Sequence, residues 1–162
     1  MRDGLEVAGS AAIGKQPDAV AQVCGVGRGA YMLAVAKSGR PSVILIGTGS
    51  EVALCVDAYE ELAREGIAAH VVSMPSWELF EQQDQAYRDS LLPSEVTARV
   101  SVEQASVISW DRNVGMNGAK IGMHTFGSSA PLKDLLTKFG FTLDNVVAAA
   151  KDQIAKSQRP NS

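Results

Sequence analysis

The run SVILIGTGSE, from Ser42 to Glu51, decides how the rest of the chain is read. Ser42 to Ile46 is an unbroken, mostly β-branched apolar stretch, as expected of a strand buried on both faces. Gly47-Thr48-Gly49-Ser50-Glu51 then breaks the strand. Beyond it Val52, Cys55, Val56, Tyr59, Leu62 and Ala63 recur at helical spacing, with Asp57, Glu60, Glu61 and Arg64 on the other side. Gly66 stands where a helix C-cap glycine belongs. A buried strand, a tight glycine turn and an amphipathic helix make the opening of a βαβ unit.

The same alternation continues on either side. Upstream, Tyr31 to Ala36 (YMLAVA) is a short strand-like run closed by Gly39-Arg40-Pro41. Downstream, Ile67 to Ser73 (IAAHVVS) is a second buried strand, ended by Pro75. Short helical pieces follow at Trp77 to Gln83 and Gln85 to Leu91, stopped by Pro93. Ala98 to Glu103 alternates as a strand, Ala105 to Trp110 reads as a helical turn, and Lys120 to Met123 as a short strand. Pro131 to Phe139 is a helix with proline in its first turn and Gly140 after its end. Leu143, Val146, Val147, Ala150 and Ile154 mark a closing helix. Strands and helices joined by short connections predict a three-layer α/β/α domain around a largely parallel sheet. Residues 1–27, rich in Gly, Ala and Ser and without periodicity, read as a tail or linker. The domain is placed at 28–157, with a polar tail at 158–162.

Bulk properties narrow the function. A chain of 162 residues suits one domain, and at that size roughly 70% of the unfolded surface is buried without any disulfide or metal staple. A net charge of −3 disfavours a nucleic-acid platform. No segment approaches the ~20 apolar residues that span a bilayer. Cys24 and Cys55 form neither a CxxC pair nor a metal spacing, so a reducing, cytoplasmic setting is expected, with Cys55 a small buried hydrophobe on its helix.

Candidate chemistry is sparse. The Gly47, Thr48, Gly49, Ser50 loop meets a helix N-terminus and is a candidate site for a small regulatory anion. It is neither GxGxxG nor a Walker motif. Thr48 and Glu51 have the spacing of a capping box, and the cap-and-turn reading is preferred. Glu103, toward the carboxyl end of a strand, is a candidate general acid or base, with a structural or interface role preferred for want of a partner. His70 and His124 show no HxH or HxxxH spacing, and there is no GxSxG elbow, so both are read as satisfied structural residues. Trp77, Phe80, Trp110, Phe126, Phe139 and Phe141 read as core or interface packing. From its residues alone the chain is an α/β domain without a self-sufficient active site.

Several segments, in order and at matching spacing over roughly residues 28–156, resemble the third domain of transketolases. They are VILIGTGSEV (Val43–Val52), VVSMPSWELF (Val71–Phe80) with DQAYRDSLLP (Asp84–Pro93), TARVSVE (Thr97–Glu103), TFGSSAP (Thr125–Pro131) and KFGFTLDNVV (Lys138–Val147). GRGAYML (Gly27–Leu33) resembles the family's first strand more loosely. The resemblance implies a mostly parallel five-stranded sheet with one antiparallel strand, for which Tyr31 to Ala36 is the candidate. It implies a parent enzyme that transfers a two-carbon glycolaldehyde unit from a ketose phosphate to an aldose phosphate. In that family thiamine diphosphate and a divalent metal, Mg²⁺ or Ca²⁺, are held by the pyrimidine-binding and diphosphate-binding domains of a homodimer, and sugar phosphates are bound there as well. The Gly-Asp-Gly segment of the cofactor site does not occur in this sequence. No catalytic, cofactor-binding or metal residue is therefore carried over, and a structural, dimer-supporting or regulatory domain, inactive alone, is expected. The alternatives are a free-standing anion-binding regulatory module, or the same domain of deoxyxylulose phosphate synthase or a ketoacid dehydrogenase component. PSWELF and FGSSAP favour transketolase.

Overall fold

A computed structural model describes residues 25–37, 39–106, 109–123 and 140–159. Five strands, β1 (Tyr31–Ala34), β2 (Val43–Gly47), β3 (Ala69–Ser73), β4 (Arg99–Ser106) and β5 (Ala119–Met123), form one sheet in the order β1-β3-β2-β4-β5. β2 runs parallel to both neighbours, with Ile44 opposite His70 on one side and Arg99 on the other. β4 and β5 are also parallel. β1 is antiparallel to β3, pairing Tyr31 with Ser73 and Ala34 with Val71 across an irregularity between Met32 and Ala34. The expected mixed sheet and its antiparallel strand are both present.

Successive side chains of a strand point to opposite faces, and here each face meets its own core. Val43, Leu45, Val71, Val100 and Val102 point to one side, against Cys55, Tyr59 and Leu62 of α1 (Glu51–Arg64) and Val146, Val147 and Ala150 of α5 (Leu143–Ser157). Ile44, Ile46 and Val72 point to the other, where they meet Phe80 of α2 (Trp77–Glu81), Leu91 of α3 (Gln85–Leu91) and Val114 of α4 (Asp111–Val114), with Trp110 just ahead of α4. The result is helix, sheet, helix. Val43 to Ile46 are fully buried, which stabilises the fold by roughly 1.5–3 kcal/mol per side chain.

Local chemistry sets the ends of the elements. α1 closes in a Schellman motif: Ile67 N–H donates to Leu62 O and Gly66 N–H to Ala63 O, with Gly66 at φ +78°. Ser76, Asp84 and Thr142 cap α2, α3 and α5 by accepting from the N–H of Leu79, Tyr87 and Asn145. The segment ahead of β1 is pinned by Ser76 N–H donating to Gly29 O and Tyr87 Oη donating to Ala30 O. Tyr59 Oη secures the far end by donating to Val35 O.

Two expectations are corrected. The Thr48–Glu51 capping box does not form. Gly49 takes a left-handed φ of +52°, and the turn it makes brings the Thr48 carbonyl, not its hydroxyl, to the N–H of Glu51 (3.1 Å). Ser50 becomes the N-cap without a side-chain cap hydrogen bond. Nor is Ala105 to Trp110 a single helical turn. Strand β4 runs on through Ser106, which pairs with Met123 of β5 after a register shift beyond Glu103. The predicted helix Pro131 to Phe139, the TFGSSAP segment, His124 and Cys24 lie outside the described residues.

Gly47 ends β2 where α1 turns back on it. A Cβ there would lie 3.0 Å from both Cys55 Sγ and Val52 Cα. Gly47→Ala is expected to destabilise the chain by about 1–3 kcal/mol through overpacking, read as a lowered urea midpoint with an unchanged slope.

Candidate functional site

Crossover connections place the Gly47–Ser50 loop at the point where the sheet reverses its winding. From β2 the chain passes to β3 on one side, and from β4 to β5 on the other. The crevice at such a crossing, beyond the carboxyl ends of the strands, is where open α/β sheets take ligands. The loop is well defined: Gly47 O accepts from Met74 N–H at 2.9 Å, and Thr48 O from Glu51 N–H. Its positive end is already answered from within. Glu51 is buried in the first turn of α1, and its Oε1 accepts the Ser50 hydroxyl at 2.6 Å. A carboxylate at a helix N-terminus is favourable, and it opposes a second anion at the same place. Burial, helped by the Glu51 carboxylate, pushes the Cys55 thiol up to about 12. At neutral pH that sulfur is a protonated packing group and no nucleophile.

Glu103 has the partner that sequence spacing could not supply. Its Oε2 accepts the indole N–H of Trp110, seven residues on. Trp110 is buried and stacks on Trp77 with ring centroids 6.3 Å apart, and Arg112 lies over the Trp77 ring at 5.4 Å. Held in this assembly, Glu103 has a structural role, and Trp77 and Trp110 are packing residues as expected.

The structural reading of His70 needs correction. It lies in the sheet at 8% exposure, and neither ring nitrogen makes a hydrogen bond of good geometry among the described residues. Burial lowers its pKa, and the Gly39 backbone only partly opposes this.

Arg99, which sequence reasoning passed over, anchors the amino end of β4. Its Nε donates to Val96 O (2.9 Å), Nη1 to Asn113 O (2.8 Å), and Nη2 to Leu92 O (3.0 Å) and Pro93 O (2.8 Å). No carboxylate pairs with it among the described residues, and desolvation draws its pKa below the usual guanidinium range. Three of these carbonyls belong to the turn just upstream of β4, and only Asn113 O is brought in from a separate segment by the fold.

Among the described residues no group of three or more His, Cys, Asp or Glu is placed to hold a metal ion, and no helix is long and apolar enough to cross a membrane. The described residues thus bring together no donor set for a metal–diphosphate cofactor.

A family model described as the transketolase-like TK C-terminal domain matches residues 29–142. The chain belongs to the transketolase family, as its C-terminal domain. Transketolase 1 of Escherichia coli is 54% identical over 131 residues, a match that covers 81% of this chain and 20% of that protein. The transketolase of Leishmania mexicana superposes with a TM-score of 0.77 at 36% identity, covering 86% of this chain and 20% of the other. A structure described as a split gene transketolase, inactive beta4 tetramer, superposes with a TM-score of 0.62 at 27% identity, covering 80% of this chain and 43% of the other. The chain thus spans about one fifth of the length of the curated transketolases it matches.

The transketolase domain's buried His70 gives it a pH dependence of stability. Its folded pKa is depressed, so below the unfolded value of ~6.5 the unfolded chain binds a proton that the folded one resists, and stability falls. Unfolding by urea at pH 7.5 and pH 5.5 is expected to show that loss, and His70→Leu to reduce it.

Proposed function

We propose that this domain serves a transketolase whose complete form moves a two-carbon glycolaldehyde unit from a ketose phosphate to an aldose phosphate. Thiamine diphosphate and a divalent metal, Mg²⁺ or Ca²⁺, would be held by the pyrimidine-binding and diphosphate-binding domains, which also bind the sugar phosphates. This domain supplies packing surface and support for a homodimer. A cytoplasmic setting goes with that role, and residues 28–157 act as its folded unit. The observation that carries the reading is the 54% identity to a transketolase over one fifth of its length, in a chain without the Gly-Asp-Gly of the cofactor site. A split-gene relative described as an inactive tetramer supports a domain that is inactive by itself.

The 162-residue chain is expected to transfer no two-carbon unit between sugar phosphates, and to release no heat of binding with thiamine diphosphate and Mg²⁺. Turnover by this chain alone would overturn the proposal.

A second reading makes Gly47, Thr48, Gly49 and Ser50 a regulatory anion site. The crossing point of the sheet favours it, and the Glu51 carboxylate opposes it. In a sulfate titration followed by NMR, the Gly49 and Ser50 amide resonances are expected to stay in place in the unaltered chain and to move in Glu51→Gln. Movement in the unaltered chain would establish the loop as an anion site.

A further inference from the structure

At the opposite end of the sheet from the glycine loop, the amino end of β4 opens onto a cleft of about 450 Å³ between α3, α4 and the end of α2. Its chemistry is unlike that of the chain as a whole. The chain carries a net charge of −3, yet Arg88, Arg99 and Arg112 all line this cleft, against the carboxylates of Glu81 and Asp89. One carboxylate is already committed: Glu81 Oε1 accepts from Arg112 Nη1 at 2.6 Å. Asp89 accepts from Gln85 Nε2 at 2.6 Å. Neither Arg88 nor Arg99 has a carboxylate partner among the described residues. Arg99 is solvated by four backbone carbonyls, which hold its charge in place without neutralising it.

Two buried donors in the lining are also unused. Asn113 is 3% exposed, and its Nδ2 has no hydrogen-bond partner among the described residues. Arg88 gives Nη2 to Gln85 Oε1 at 2.7 Å, but its Nε has no partner among the described residues. Buried polar groups in folded proteins are nearly always paired, and both of these residues belong to the lining of this cleft, with the unpaired nitrogens just beneath its surface. Guanidinium groups present planar forks of N–H donors that match the oxygens of phosphate and carboxylate. Phe80 and Leu92 add an apolar wall, and the volume lies within the range of small-molecule sites.

We propose that the cleft lined by Arg88, Arg99, Arg112 and Asn113 binds a small oxyanion, a phosphate or phosphate monoester, with Arg88 and Asn113 as its direct donors. Arg99 supplies fixed positive potential beneath it. The site rests on neither the glycine loop nor the parent enzyme's chemistry.

The test uses the 162-residue chain with inorganic phosphate, glycerol phosphate and malonate, each followed by calorimetry and by NMR of side-chain amides. Saturable one-site binding of phosphate or its monoester is expected with a Kd at or below about 1 mM, together with a shift of the Asn113 side-chain amide. Arg88→Gln is expected to weaken binding at least ~10-fold with an unchanged melting temperature. Arg88→Lys should not restore it, because an ammonium lacks the fork. Lys151→Gln, a charge loss on α5 away from the cleft, should leave binding as it is. The proposal is overturned if neither phosphate ligand saturates in that range, if the Asn113 amide stays still, or if Arg88→Gln binds like the parent chain. Tighter binding of malonate than of either phosphate would overturn the phosphate assignment.

Discussion

The double burial of β2 is the constraint on which the structure depends. Val43 and Leu45 fill one core, and Ile44 and Ile46 the other, none of them exposed. A strand in that position cannot shift by one residue without exchanging the contents of the two cores. It therefore sets the register of β3 and β4, which pair with it on either side. The helices follow from the same alternation, since each face needs an apolar cover. α1 and α5 supply one, and the shorter α2, α3 and α4 the other.

How much of this is legible in the sequence depends on the range of the interactions. The β2 strand, α1 and its end at Gly66 are read correctly because each rests on local periodicity or on a single residue's backbone freedom. The fold class follows from the alternation of elements, and the antiparallel placement of Tyr31–Ala34 from the family resemblance. The errors occur where a neighbour in space overrules the local pattern. The spacing of Thr48 and Glu51 satisfies a capping box, but the left-handed turn at Gly49 brings a carbonyl where the hydroxyl was expected. Ala105 and Ser106 are strand because β5 lies alongside, with Met123 pairing with Ser106. A histidine in an apolar strand reads as satisfied, whereas among the described residues neither ring nitrogen of His70 makes a hydrogen bond of good geometry.

The two ends of the sheet divide the electrostatics. At the carboxyl ends, where ligands of α/β domains are usually found, the chain has placed its own carboxylate, Glu51, at the head of α1. Nearby Glu103 is held by the Trp110 indole. At the amino ends, a guanidinium sits among carbonyl oxygens, and Arg88 and Asn113, each with a buried nitrogen unpaired among the described residues, line a cleft. Sequence motifs draw attention to the first end because its glycines are contiguous. The second is assembled from α3, α4 and the start of β4, and its lining residues are not contiguous. Among the described residues, the unmet hydrogen-bonding capacity of this domain thus lies away from the edge where such folds conventionally do chemistry.

The irregularity in β1 bears on how copies of this chain behave toward each other. An edge strand displays unpaired N–H and C=O groups that can recruit a strand from another molecule. β1 has four residues, and its pairing with β3 slips between Met32 and Ala34. A slip of that kind twists the strand and puts its outward-facing groups out of phase. Few consecutive positions are left on which a foreign strand could form a ladder. The interruption that looks like a flaw in the sheet disfavours edge-to-edge joining of copies of the domain at β1.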